Sequence, residues 1–552
     1  MNKHSPRTVF AFFVFLLTSV VVVAQPGTYA IKDARIVTVS GVEIPNGTVV
    51  VRGGLIESVG ANAKIPADAT IIEGKGLVVY PGFIDTYSSY GLPLASQSGN
   101  RSRGTGAVSE SSNSNYTDGL RPDDYAGDTL KAGDAQFENQ RNNGFTTALT
   151  VKDDGIFNGY SAVINLAGDS VSRMIISPYF AEHVSYRTER GFNFPTSLMG
   201  TFAAIRQMFY DAKRLDEIKA QYAKDPKGIK RPEADPALEA LIPIVRGEKP
   251  IVFNANSERE IIRTLDLAKE FGLKAVIAGG EEAGNVAERL KAANVPVLLG
   301  LDFPTRTEPE SADAEPEPMR LLRLRAEVPK VAGKLKAAGV RFAFQTGGAK
   351  DLKKVFDNAE STTKFGITKA DVVRAFTLDA ATLLGVDSVL GSVEQGKIAN
   401  LVVMNGELFA KNNSIHYVFV DGTMFELPTK QNKPEKTEGK EISAQNLSGE
   451  WNITVSAPEQ NIEIILKLEQ SGNLLSGTMN SALFGSIPIK NGKATAEGFT
   501  FDADVPFGGV TMNVTCIGKV SGDKVEGSAG TNQGSIPFSG KRLPTKKGGR
   551  VK

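Results

Sequence analysis

Between residues 250 and 384 the hydrophobic positions switch repeatedly between two periods. Apolar runs at 251–254, 273–278, 295–301 and 340–345 have the length and composition of buried strands. Between them the spacing becomes helical. Ile261, Leu265 and Ala268 form an apolar stripe, and Ser257 stands three residues before Glu260, the spacing of a capping box. Further helices are predicted over 283–293, 319–338 and 369–384, and further strands over 145–151 and 161–166. Strand–helix alternation over roughly 300 residues predicts an α/β fold built on a TIM-like (β/α)8 barrel.

The flanks have a different rhythm. Residues 28–80 predict short strands at 30–39, 47–51 and 55–59, with turn signals at Asn46-Gly47 and Gly53-Gly54. Beyond residue 446 the period is two. Val510, Met512, Val514 and Cys516 alternate with Thr511, Asn513 and Thr515, and Ile464, Leu466 and Leu468 repeat the pattern. About eight such strands fit a closed or nearly closed antiparallel barrel. Its opening, Leu447-Ser-Gly-Glu-Trp451-Asn, resembles the Gly-x-Trp start of lipocalin-like barrels, where the Trp plugs one end. Cys516 then faces a core. As the single cysteine it excludes intramolecular disulfides.

The first 24 residues read as a signal peptide. Lys3 and Arg7 precede an apolar run over 9–23, and Val22-Val23-Ala24 suits cleavage before Gln25. The run is short beside the roughly 20 residues of a membrane span. The expectation is an exported chain, periplasmic or extracellular in a Gram-negative bacterium, with no span after processing. The formal net charge of +1 supplies no field for nucleic acid. The Ser/Gly/Asn-rich segment 97–115 is expected to be a loop. The acidic segment 304–318 reads either as a surface loop or as a cover for the barrel mouth.

Residues 81–91, Pro-Gly-Phe-Ile-Asp-Thr-Tyr-Ser-Ser-Tyr-Gly, resemble the first barrel strand of the amidohydrolase superfamily, Pro-Gly-hydrophobic-Ile-Asp-x-His-x-His-x-Gly. The likeness continues in Lys269-Glu-Phe-Gly-Leu-Lys274 and in Gly391-Ser-Val-Glu-Gln-Gly-Lys-Ile-Ala-Asn-Leu-Val-Val403, where Asn400 replaces the family's Asp. It points to the imidazolonepropionase-like branch, in an exported bacterial subgroup. The resemblance implies a composite β-sandwich made of 25–80 and 386–426, a barrel over 81–385, a linker over 427–445 and a separate β domain over 446–552.

It also implies a divalent metal, usually Zn, and hydrolysis of a C–N bond. The positions that carry the family's metal ligands and base hold Tyr87, Ser89, Asn254, Gly279 and Gly347 here. The whole chain has three histidines, His4, His183 and His416, and a catalytic zinc normally takes about three protein ligands. The expected metal site and cofactor are therefore none. Two functions follow. One is a binding or partner subunit, associated with an active amidohydrolase paralogue or with itself and able to hold a small polar ligand. The other is a hydrolase of cyclic-amide or other non-peptide C–N bonds with a rebuilt or absent metal site.

Strand ends at the mouth of such a barrel should carry any remaining chemistry. Asp85, Lys152, Asp153, Asp302 and Thr346 are the catalytic candidates at that mouth, with acid–base work open to the lysine and carboxylates, set against a structural role for Asp85 and solvated loop charge for Lys152, Asp153 and Asp302. Tyr87, Ser89, Asn254 and Asn256 suit a neutral pocket for an amide or sugar, set against simple packing of the replaced site. His183 is expected to be a lone surface or core histidine, and His416 a structural one.

Overall fold

The computed structural model describes residues 27–93, 119–133, 135–188, 195–306, 316–349, 351–427, 446–456, 461–471, 474–481, 483–494, 498–507, 510–531 and 534–543. The expected leader, the 97–115 loop, nearly all of the 427–445 linker and the middle of 304–318 lie outside them. The chain divides into two compact units, 1–433 and 434–552.

In the first unit the barrel strands are Phe83–Ser88, Phe145–Thr150, Glu182–Ser185, Pro250–Ala255, Lys274–Gly279, Val297–Gly300 and Phe342–Gln345. Phe83–Ser88 and Phe145–Thr150 pair in parallel, and so do the last five in succession. The third position departs from the expected pattern. It is held by Phe157–Tyr160 and Ala162–Asn165, which run antiparallel to Glu182–Ser185 and Phe145–Thr150 respectively. Ser161, between the two segments, carries the chain from one sheet to the next. The wall is therefore two sheets, and among the described residues no backbone ladder joins Phe342–Gln345 to Phe83–Ser88.

Alternation along the strands separates two cores. Ile84, Leu149, Val163, Val252, Val276, Leu298 and Ala343 fill the interior. Phe83, Phe145, Phe253, Ile277 and Phe344 face the surrounding helices. The helix Glu258–Phe271 forms where its spacing predicted. Ser257 and Glu260 close the capping box, and Gly272, at φ +70°, ends it in the left-handed conformation. The single helix expected over 319–338 is two, Met319–Glu327 and Val331–Ala338, joined by a 3-10 turn at Pro329, which has no N–H to donate. The helix expected over 283–293 starts as a 3-10 turn and becomes α-helical only over Ala287–Ala292.

The flanks meet in one eight-stranded sheet. Leu401–Asn405 runs antiparallel to Leu77–Pro81, with Val403 opposite Val79. Residues from both ends, including Ile31, Val49, Val79, Leu401, Val403 and Phe419, share one apolar core. Asn400 ties this sheet to the barrel. Its amide nitrogen donates to Thr147 Oγ1 (3.0 Å) and Asn165 Oδ1 (2.7 Å), and its oxygen accepts from Asp421 N–H (2.7 Å).

The second unit is a closed antiparallel barrel of eight strands between Gly449 and Arg542, with a short ninth strand, Gly485–Pro488, paired alongside Leu474–Ser481. Trp451 is fully buried, donates to Leu447 O (3.1 Å) and lies under the Arg542 guanidinium (4.5 Å). Cys516 is a buried core thiol, pushed up to about 12 by burial. No helix among the described residues is long and apolar enough to cross a membrane.

Candidate functional site

The 81–91 segment places its polar residues in two different structural roles. Asp85 is fully buried and bridges the edge that lacks a ladder. Its Oδ1 accepts from the backbone N–H of Thr346 (2.9 Å) and, at 3.4 Å, of Tyr87; its Oδ2 accepts from Thr346 Oγ1 (2.5 Å). Having donated to Asp85, the Thr346 hydroxyl accepts from Tyr90 O–H (3.1 Å) and Gly348 N–H (3.1 Å). One residue along, Thr86 Oγ1 donates to Phe344 O (2.9 Å). Side chains therefore join the first and last strands where backbone pairing does not. Burial pushes the Asp85 carboxyl up to about 6, against the hydrogen bonds from Thr346, Tyr87 and Tyr90, which favour the charged form.

Tyr87 points into the barrel. Only 9% of it is exposed, and its hydroxyl accepts from Asn254 Nδ2 at 2.9 Å. Both stand at positions where the resemblance implies a histidine, and they are bonded to each other. The Tyr87 ring lies 5.6 Å from that of His183. His183 is fully buried on the fourth strand position, and its Nε2 is 2.8 Å from Ser161 Oγ. Because Ser161 Oγ donates to Ala181 O (3.2 Å), the imidazole proton sits on Nε2. Nδ1 then keeps its lone pair, with no partner among the described residues. Burial holds this imidazole neutral, down to about 3.

Two of the remaining positions the resemblance marks are glycines in left-handed backbone. Gly279 has φ +92°, and a Cβ there would stand 2.1 Å from Asn256 Oδ1, so the Asn256 amide fills the space a side chain would need. Gly347 is also left-handed, at φ +66°. Ser89 is half-buried and Asn256 exposed.

The charged candidates do not converge. Lys152 pairs with Asp124 (3.1 Å), Asp153 with Arg187 (2.5 Å) and Asp302 with Lys354 (3.3 Å). The structure brings together Asp85 with Thr346, and Tyr87 with Asn254. It leaves Lys152 and Asp302 in ion pairs of their own. Asp153 and Arg187 bear on Tyr87 from the rim: burial raises the phenol, Asp153 adds to this, and Arg187 opposes it. Sequence reasoning missed Ser161, Arg187 and Tyr90. It did allow His183 a core position, which is where it lies. Among the described residues no group of three or more His, Cys, Asp and Glu side chains is placed to hold a metal ion.

Comparison with known proteins agrees with this architecture. Residues 261–425 match the Amidohydrolase family. No protein of curated function matches the sequence. Among solved structures, an amidohydrolase from Thermotoga maritima MSB8 superposes with a TM-score of 0.59 at 24% identity, over 72% of this chain and all of that one. A prolidase complexed with N-methylphosphonate-L-proline gives 0.45 at 14% identity, over 73% and 100% of the two chains. A beta-aspartyl dipeptidase from Fervidobacterium islandicum AW-1 gives 0.42 at 13%, over 72% and 96%. The first of these shows the fold; the other two are too distant to carry an argument. Residues 261–425 thus match the Amidohydrolase family, in a first unit that shares the fold of the Thermotoga protein.

Proposed function

We propose that this chain is an exported, imidazolonepropionase-like member of the amidohydrolases in which the metal centre has been replaced. In this reading it serves as a binding or partner subunit. One observation carries the proposal: the hydrogen bond between Tyr87 and Asn254, which engages two former ligand positions with each other across the barrel. Metal-assisted hydrolysis needs an ion to bring water toward neutral pKa and a group to take its proton. A phenol, an amide, a serine hydroxyl and two glycines do not fit that requirement, and the lone Nδ1 of His183 is one ligand where about three are needed.

The ligand this mouth suits is small, neutral and polar. Asn254, Asn256, Tyr87 and Ser89 offer amide and hydroxyl groups, and the Asp153–Arg187 pair at the rim is internally neutralised. An amide or a sugar matches that chemistry. The protein partner is an active amidohydrolase paralogue or a second copy, in the periplasm or outside the cell. The competing reading, a C–N hydrolase with a rebuilt site, draws on the fold alone.

Native pull-down with the full-length chain tests the proposal. Recovery of an active amidohydrolase in stoichiometric amount is the expected result. Protein that recovers no such enzyme, stays monomeric and turns over a cyclic amide, with turnover lost in Asp153→Ala or Asp302→Ala, overturns it.

A further inference from the structure

The outer wall of the first barrel holds a buried acid that neither the mouth nor the closing edge uses. Glu182 begins the strand Glu182–Ser185, and alternation turns it away from the interior occupied by its neighbour His183. It has no exposed surface. Its Oε1 accepts from Gly159 N–H at 3.2 Å, and its Oε2 has no partner among the described residues.

A strap, residues 119–126, lies over this part of the wall. Ile156 N–H donates to Gly119 O (2.8 Å) and Tyr160 N–H to Asp124 O (2.8 Å). Isolated bridges join Leu120 to Phe157 and Tyr125 to Tyr160. The fit is close: a Cβ on Gly159, at φ +79°, would stand 2.2 Å from Asp124 O. From the strap come Asp123 and Asp124, and with them Arg121, which is engaged by both (3.2 and 3.6 Å). Lys152, from the loop after Phe145–Thr150, is engaged by Asp124. Tyr125 stacks on Tyr160 (5.6 Å) and meets Tyr179 edge-on (5.1 Å). Tyr160 O–H donates to Ala240 O (2.8 Å). Asp123 and Asp124 thus act on the acid with like sign, and the cations beside them, Arg121 and Lys152, are already engaged.

We infer that Glu182 is a proton-operated latch, whose neutral acid lets the strap 119–126 dock on the barrel wall and whose ionised form drives the strap off. A carboxylate in this position would have backbone N–H groups as its only donors, no solvent and two like charges nearby, whereas the neutral acid loses far less on burial. Burial first, then Asp124 and Asp123, hold the group well above the ordinary carboxylate range, against the Gly159 and His183 N–H groups. The docked value lies above that of a solvated glutamate. Docking is therefore fully favoured below the ordinary carboxylate range and is lost as pH rises through the raised value. The mouth would feel the change, because Asp124 also holds Lys152, the neighbour of Asp153 in the rim pair.

Hydrogen–deuterium exchange on the full-length chain between about pH 6 and 9, corrected for intrinsic exchange, tests this. The expected result is that opening of residues 119–131 rises by up to about tenfold per pH unit above the ordinary carboxylate value and levels off once pH passes the raised docked value. Peptides from Pro250–Ala255 stay level, and Glu182→Gln, which keeps the neutral shape, abolishes the trend. A wild-type-minus-variant infrared difference spectrum at about pH 5, above the ordinary glutamate value, should also show the carbonyl stretch of a neutral carboxylic acid. Strap exchange that ignores pH, the same trend in Glu182→Gln, or no such band overturns the latch.

Discussion

The two barrels of this chain are closed by different means. In the second unit each of eight strands has a backbone partner on both sides, so closure is spread over many main-chain hydrogen bonds. In the first, one edge has no ladder, and Asp85, Thr86, Tyr90 and Thr346 join it through side chains. Where the backbone closes a barrel, individual side chains are replaceable. Where side chains close it, a buried carboxylate becomes structural, and a motif shared with enzymes can be kept for architecture.

Substitutions at the two closures should therefore differ in size. The largest effect is expected from Asp85→Ala, which removes two strong bonds to Thr346 and leaves its buried N–H unpaired. A loss of about 3–4 kcal/mol is expected, read from chemical denaturation of the first unit. A loss below about 1 kcal/mol would sink the side-chain account of closure.

Next comes pH. His183 is held neutral in the folded chain, far below the ordinary histidine value, so the unfolded chain takes up the extra proton in acid. Its contribution is present above about pH 6.5 and falls by about 1.4 kcal/mol per pH unit below that. Asp85, raised to about 6, acts in the opposite sense: its contribution is full below the ordinary carboxylate value and is lost as pH rises through about 6. Comparing wild type with His183→Gln between pH 7 and 4.5 isolates the histidine. Parallel stability curves would contradict its buried neutral state.

Asn400→Asp should cost about 2 kcal/mol, because the carboxylate cannot donate to Thr147 and meets the Asn165 oxygen. A neutral result would show that Asn165 turns to supply the missing donor. Tyr87→Phe deletes the bond to Asn254 and should cost about 1 kcal/mol. The smallest change is expected in the ladder-closed barrel. Thr515→Val removes an exposed bond to Asp502 and should stay within about 0.5 kcal/mol. A larger loss there would erase the contrast between the two closures.

Much of the architecture was legible in the residues. The strands and helices of 250–345 follow local periodicity, and the Ser257–Glu260 box is a contact over three residues. Alternation alone placed Cys516 in a core. The break at Pro329 also had a local signal that the longer helix prediction passed over. The antiparallel third position left no comparable trace, because strand direction depends on partners far along the chain. The site was legible as a set of substitutions and illegible as a geometry. Tyr87 meets Asn254 across 167 positions, and Asp85 meets Thr346 across 261. The buried company of His183, Ser161 and Tyr87 arises only when three strands are brought together.

The central proposal is that Tyr87 and Asn254, two positions the resemblance marks for metal ligands, bond to each other and that the site holds no catalytic ion. Metal analysis of the purified full-length chain, with thermal unfolding before and after chelation, tests it most directly. The account predicts substoichiometric Zn, Mn and Fe and an unfolding midpoint that chelation leaves unchanged. One equivalent of any of these metals per chain, lost together with stability on chelation or in Asp153→Ala, would contradict it.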